Sequence, residues 1–104
     1  NIVMQNVGGR PRINLQKTLR YLCEALRFDA TVEEACSYAK ISESTFYHYN
    51  KSDGGFSEEI RRAQCYPFLV AKGAVIGAIE EGNVKTALRF LELRQPRMFS
   101  ALHT

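Results

Sequence analysis

"TVEEACSYAKISESTFYHYNK" runs from Thr31 to Lys51, and its reading decides the fold. Thr31 and Glu34 stand in the order T-x-x-E. At that spacing a hydroxyl and a carboxylate satisfy each other's backbone N–H groups and start a helix. Val32, Ala35, Cys36 and Ala39 then recur at helical spacing and predict an inner face about two turns long. Lys40-Ile41 reads as a tight turn, and Ser42 as the cap of a second helix. Glu43 in the first turn suits the positive end of that helix's dipole. Phe46 and Tyr49, three apart, point its apolar side inward. It should end near Asn50 or Lys51, before Asp53-Gly54-Gly55.

Working outward, Asn14 can cap a helix over residues 15–27. Leu15, Leu19, Leu22, Cys23 and Leu26 form one face of it, with Lys17, Arg20 and Arg27 on others. Phe28-Asp29-Ala30 is the break before Thr31. Upstream, residues 1–13, "NIVMQNVGGRPRI", carry Gly8, Gly9 and Pro11 and read as a flexible basic arm. Downstream, Ser57 with Glu58 and Glu59 opens a long helix, stapled at its start by Phe56 and Ile60. Pro67 should kink or break that helix, which resumes through Ile79 and ends at Glu80-Glu81-Gly82. Asn83 caps a last helix with Val84, Ala87, Leu88 and Leu91 on its apolar face, and Pro96 stops it. Nothing has strand period and nothing repeats. The expectation is all-α: an arm (1–13), a three-helix helix-turn-helix domain (14–52), then a Pro-kinked helix and a C-terminal helix (56–104) serving oligomerisation.

The last expectation rests on Phe68–Ile79, which is apolar on nearly all sides. Gly73 and Gly77 stand four apart, a spacing that permits close helix approach. A chain of 104 residues has little else to cover such a helix, so a homo-oligomer is expected rather than packing against the last helix of the same chain. The run "YPFLVAKGAVIGAI" is interrupted by Lys72 and falls short of the ~20 residues that span a bilayer. No secretory signal is visible, and a start on Asn1 reads as trimmed.

Net charge is only +3, but it is unevenly spread. Residues 1–30 carry +3, residues 31–60 carry −4 and residues 61–104 carry +4. Cys23, Cys36 and Cys65 have no C-x-x-C spacing and sit among apolar residues, so they read as buried, reduced thiols. His48 and His103 lack neighbouring ligands, and no metal or cofactor is expected. There is no phosphate-cradling G-x-x-x-x-G-K-[ST] and no Ser, His and Asp cluster, so no enzyme is expected either.

Helix, short turn, helix, with a third helix completing the core, is the arrangement that places a second helix in the DNA major groove. Its outward positions would be Ser42, Glu43, Ser44, Tyr47, His48 and Lys51, with Thr45 turned toward the backbone. Serine, tyrosine and histidine can hydrogen-bond base edges or phosphates. The competing reading is a surface helix that merely closes a small core. Glu43 and the −4 of residues 31–60 favour that alternative, because carboxylates are repelled by phosphates. Upstream, "GGRPR" resembles a minor-groove hook, with Arg10 and Arg12 reaching a narrow groove. A basic tail on phosphates is the plainer alternative.

These segments together resemble phage terminase small subunits and related phage helix-turn-helix proteins, over residues 10–99. The matching pattern is A-C-x-x-A-x-I-S-x-S-T-F-Y, then a phenylalanine opening a long helix. A tail follows with Gly82, Asn83, Ala87, Phe90, Leu91, Glu92, Arg94, Pro96 and Phe99. Gly9-Arg10-Pro11 also fits. Lys40 stands where the family usually has glycine, and Tyr49 where it often has tryptophan. The resemblance implies recognition of packaging-site double-stranded DNA, and the residues expected to contact it are Arg10, Arg12, Ser42, Ser44, Thr45, Tyr47, His48 and Lys51. It also implies ring-like homo-oligomers, a large terminase ATPase subunit as partner and the cytoplasm of a bacterial host. The same residues would serve a small transcriptional regulator. An assembly adaptor that binds protein rather than DNA is the alternative from another class.

Overall fold

The structure is a computed structural model and describes residues 14–99. The protein is all-α, with six helices and no strand among those residues. They are α1 (Leu15–Leu26), α2 (Val32–Ala39), α3 (Glu43–Ser52), α4 (Gly54–Glu80), α5 (Val84–Arg94) and α6 (Pro96–Phe99). None is long and apolar enough to cross a membrane. The chain divides into two compact units, one ending at Pro67 and the other beginning at Phe68.

The helix starts follow from the caps. Asn14 Oδ1 accepts from the Lys17 N–H at 3.1 Å. Thr31 and Glu34 form the reciprocal box, with hydrogen bonds of 3.0 and 2.8 Å. Ser42 Oγ accepts from the Thr45 N–H at 3.1 Å. Asn83 Oδ1 does the same for Thr86 at 2.9 Å. Three helix ends share one device. Asp29, Lys40 and Gly82 adopt left-handed backbone, at φ 64°, 63° and 92°. In each case the residue's N–H and that of the following residue fold back onto the last turn. At α2, Lys40 N–H bonds the Ser37 carbonyl and Ile41 N–H the Cys36 carbonyl. Only one of the three is glycine. Asp29 and Lys40 each hold a left-handed conformation that disfavours a side chain by on the order of 1 kcal/mol.

The core of the first unit is Leu22, Cys23, Leu26, Ala35, Cys36, Phe46, Phe56, Ile60 and Ala63. The α1 face falls where the leucine spacing puts it, and Thr18 joins it as the buried polar residue. Small Ala35 and Cys36 let α2 approach closely. Ile41 plugs the turn and packs half-buried against the core beside Tyr49. Phe46 meets the edge of Phe56 at 5.8 Å, and Tyr49 lies 5.9 Å from the same ring.

Phe56 and Ile60 therefore do more than staple a helix start, and α4 begins earlier than the expected Ser57. Asp53 is the reason. Its N–H closes α3 on the Tyr49 carbonyl, its carboxylate accepts from the Phe56 N–H at 3.1 Å, and its carbonyl accepts from Ser57. One extended residue (φ −125°) thus joins the two helices and turns the first turns of α4 back onto the core. The first unit consequently runs past residue 52 to Pro67. The helix continues through Pro67 without a break, although proline cannot donate to the Ala63 carbonyl. Pro96 ends α5, as its missing N–H and fixed φ require, yet it also opens the single turn of α6.

The cysteines part company. Cys23 and Cys36 are buried, but Cys65 is exposed on α4. Burial pushes the Cys23 thiol up, with Arg27 opposing and Glu59 adding to the shift. Burial, then the Glu43 charge, raises Cys36. Native protein treated with iodoacetamide should therefore alkylate at Cys65 first, and all three cysteines should react in denaturant. Peptide mass spectrometry reads the order; equal native rates at Cys23 and Cys65 would contradict this core.

Candidate nucleic-acid interface

On α3, Ser44, Tyr47, His48 and Lys51 fall at i, i+3, i+4 and i+7, a single stripe. All four are exposed, Tyr47 by 53%. The opposite side carries Phe46, 1% exposed, and half-buried Tyr49. These two rings fix the rotation of α3 about its axis and so aim the stripe away from the core. Tyr47 leans edge-on against Phe46 at 5.1 Å, and His48 against Tyr49 at 5.2 Å. The polar ends of Tyr47, His48 and Lys51 make no hydrogen bond or ion pair among the described residues.

The remaining expected residues differ. Ser42 is exposed, but its hydroxyl donates to Thr45 Oγ1 at 2.8 Å while accepting the Thr45 N–H. Its proton is thus already engaged. Thr45 is half-buried, and its hydroxyl receives that bond. Ser44 Oγ lies 3.3 Å from Ser42 Oγ. Arg10 and Arg12 lie outside the described residues.

The acidic middle of the sequence resolves into separate places. Glu58 pairs with Arg61 and Arg62, and Glu59 with Arg62 at 3.1 Å. The hydrogen bond and charge of Arg61 hold the Glu58 carboxyl below the usual range. Two of the six carboxylates in residues 31–60 are thus neutralised by cations just outside that window. Glu34 lines an open groove with Glu24, Asp29, Phe28 and Tyr38. Tyr38 donates to Glu24 there at 2.9 Å, a bond that raises the Tyr38 hydroxyl's pKa. This groove runs along α2 from the α1–α2 loop, where Asp29 stands, to Tyr38 in its last turn. Glu43 stands in the first turn of α3 and Asp53 at its end, both on the helix that carries the stripe.

A second recess lies at the other end of α2. Asn14, Lys17, Thr18, Tyr21, Tyr38, Ala39, Lys40 and Ile41 line it, and no carboxylate is among them. Sequence spacing could not bring Lys17 and Lys40 together, because only the packing of α1 on α2 does so.

Comparison with protein-family models, curated proteins and solved structures returns no match.

The described residues of the first unit present an exposed polar stripe, a recess with two lysines at the turn before it, and an acidic groove that meets this recess at Tyr38.

Proposed function

We propose that this chain is a DNA-binding helix-turn-helix protein similar to a phage terminase small subunit, recognising packaging-site DNA as a homo-oligomer. One observation carries the reading. The exposed stripe Ser44, Tyr47, His48 and Lys51 stands on a helix whose opposite face is locked into the core by Phe46 and Tyr49. Such a helix holds its donors in place before DNA arrives, and its N-terminal half is the part that enters a major groove. Tyr47, His48 and Lys51 would contact bases and flanking phosphates. Ser42 and Thr45 would chiefly hold the helix start, and Arg10 and Arg12 would extend the contact along the backbone or minor groove.

The second unit supports the oligomer. None of its described residues is buried, and Phe68, Leu69, Val70, Val84 and Leu93 are each more than half exposed. An apolar surface of that extent is characteristic of a subunit contact. Gly73 and Gly77 leave open space where a Cβ would stand, so another backbone can approach closely there. A large terminase ATPase is the partner that the resemblance implies for the assembled form. The same exposed surface favours the adaptor as second reading, in which α3 only closes the core.

Fluorescence anisotropy with labelled duplex DNA across a salt series tests the reading, on protein whose mass in solution is fixed by sedimentation. The expected result is an oligomer whose log affinity falls linearly with log salt, the slope giving the number of neutralised phosphates. A folded oligomer that binds no duplex at low salt would leave the adaptor.

A further inference from the structure

We infer that the recess between α1 and the α2–α3 turn is a docking site for a backbone phosphate of duplex DNA, with Lys17 and Lys40 as its cations. The inference rests on the DNA-binding reading and extends it to residues outside α3. Three observations meet here. First, the open recess, of about 450 Å³, is lined by two lysines and two tyrosines and by no carboxylate. Arg20 adds a further positive charge nearby, its guanidinium 5.5 Å from the Tyr21 ring centroid. Second, Thr18 lines the same recess at 8% exposure, and its hydroxyl has no partner among the described residues. A buried hydroxyl without a partner is disfavoured unless a ligand or water supplies one, and a phosphate oxygen is an acceptor for it. Third, Lys40 occupies a left-handed position, φ 63°, where glycine would be unstrained. The fold tolerates that strain and gains a cation at the mouth of the recess.

Placement gives the site its role. Lys40 and Ile41 lead directly into Ser42, the cap of α3, and Asn14 lines the recess where the N-terminal arm joins α1. A phosphate held here would lie between the contacts proposed for the arm and those proposed for α3. Glu24, Asp29 and Glu34 line the adjoining groove and would repel a phosphate there. The two recesses share Tyr38, which donates to Glu24. The pair would fix which way the duplex runs across the unit. Its size also suits a stretch of backbone better than one small anion.

The test compares the intact chain with Lys17→Gln, Lys40→Gly and the double variant, using anisotropy with labelled specific and random duplexes across a salt series. Lys40→Gly removes the charge while relieving the left-handed strain, so its melting temperature should equal or exceed that of the parent. Lost binding in that variant then cannot be unfolding. The expected result is that each substitution lowers the salt slope by about 1 and weakens both duplexes equally, leaving their ratio unchanged. An unchanged slope and affinity in the double variant, while the parent binds with normal salt dependence, would overturn this site and leave the α3 reading standing. No salt-dependent binding by the parent would overturn both. Inorganic phosphate at matched ionic strength should displace no more duplex than chloride does. Selective displacement by phosphate that is lost in the double variant would assign the recess to a free anion instead.

Discussion

Phe46→Ala should destabilise the first unit by about 3–5 kcal/mol, the range for removing a buried phenylalanine. The size follows from position. Phe46 is 1% exposed and, with Leu22 and Leu26, is among the largest fully buried side chains. Its ring touches Phe56 from α4 and supports Tyr47 on its own helix. The nine core residues come from all four helices of this unit, so a cavity at Phe46 opens inside the one core that joins them. A unit this small has little stability in reserve, since whole domains hold only about 5–15 kcal/mol. Urea melts followed by far-UV circular dichroism should show the transition move to far lower denaturant. DNA binding should disappear with it, because Phe46 also sets the rotation of α3. Phe46→Leu should keep much of both, as it leaves a smaller cavity. A loss below about 1 kcal/mol for Phe46→Ala would mean that α3 is not packed through this ring.

How much of this was legible in the sequence depends on the range of the interaction concerned. The Thr31–Glu34 box, the Ser42 cap and the inward Phe46 all showed, because each is decided within four residues. The turn at Lys40 showed as well, from its place between two helical patterns. Local patterning failed at Asp53. Two glycines after it look like a loop, and nothing nearby says that an aspartate will end one helix and cap the next. The core roles of Phe56 and Ile60 depend on that join, so they were read as a local staple. Cys65 was misjudged for a related reason. It sits in an apolar neighbourhood along the chain, yet its side of α4 faces away from the core that Ile60 and Ala63 enter.

The candidate surface was legible only in part, for the same physical reason. Helical spacing gave the α3 stripe, since i, i+3, i+4 and i+7 is a local rule. Charge summed over a window did not show where the individual carboxylates stand. Glu58 and Glu59 are neutralised by Arg61 and Arg62, and Glu34 stands at the far end of α2 from the stripe. The Lys17–Lys40 recess could not be read at all, because it exists only once α1 lies against α2.

The double variant Tyr47→Ala, His48→Ala should lose on the order of 100-fold in affinity for the specific duplex, at about 1–3 kcal/mol per base-edge contact. Random duplex should bind almost as before. Both side chains are exposed, and neither makes a hydrogen bond among the described residues. Their removal should therefore touch stability little. The largest structural loss is the edge contact of Tyr47 on Phe46 at 5.1 Å, worth about 0.5–1.5 kcal/mol. Lys51 and the recess lysines remain, so the salt slope should hold while the ratio of specific to random binding collapses. That pattern separates base reading from phosphate binding, which lysine removal would weaken on every sequence alike. A second result is just as informative. If the specific duplex is bound as tightly as before by a folded variant, then α3 reads no bases. The stripe is then only the solvent side of a helix that Phe46 and Tyr49 hold over the core, and sequence recognition, if the protein has any, must come from the arm.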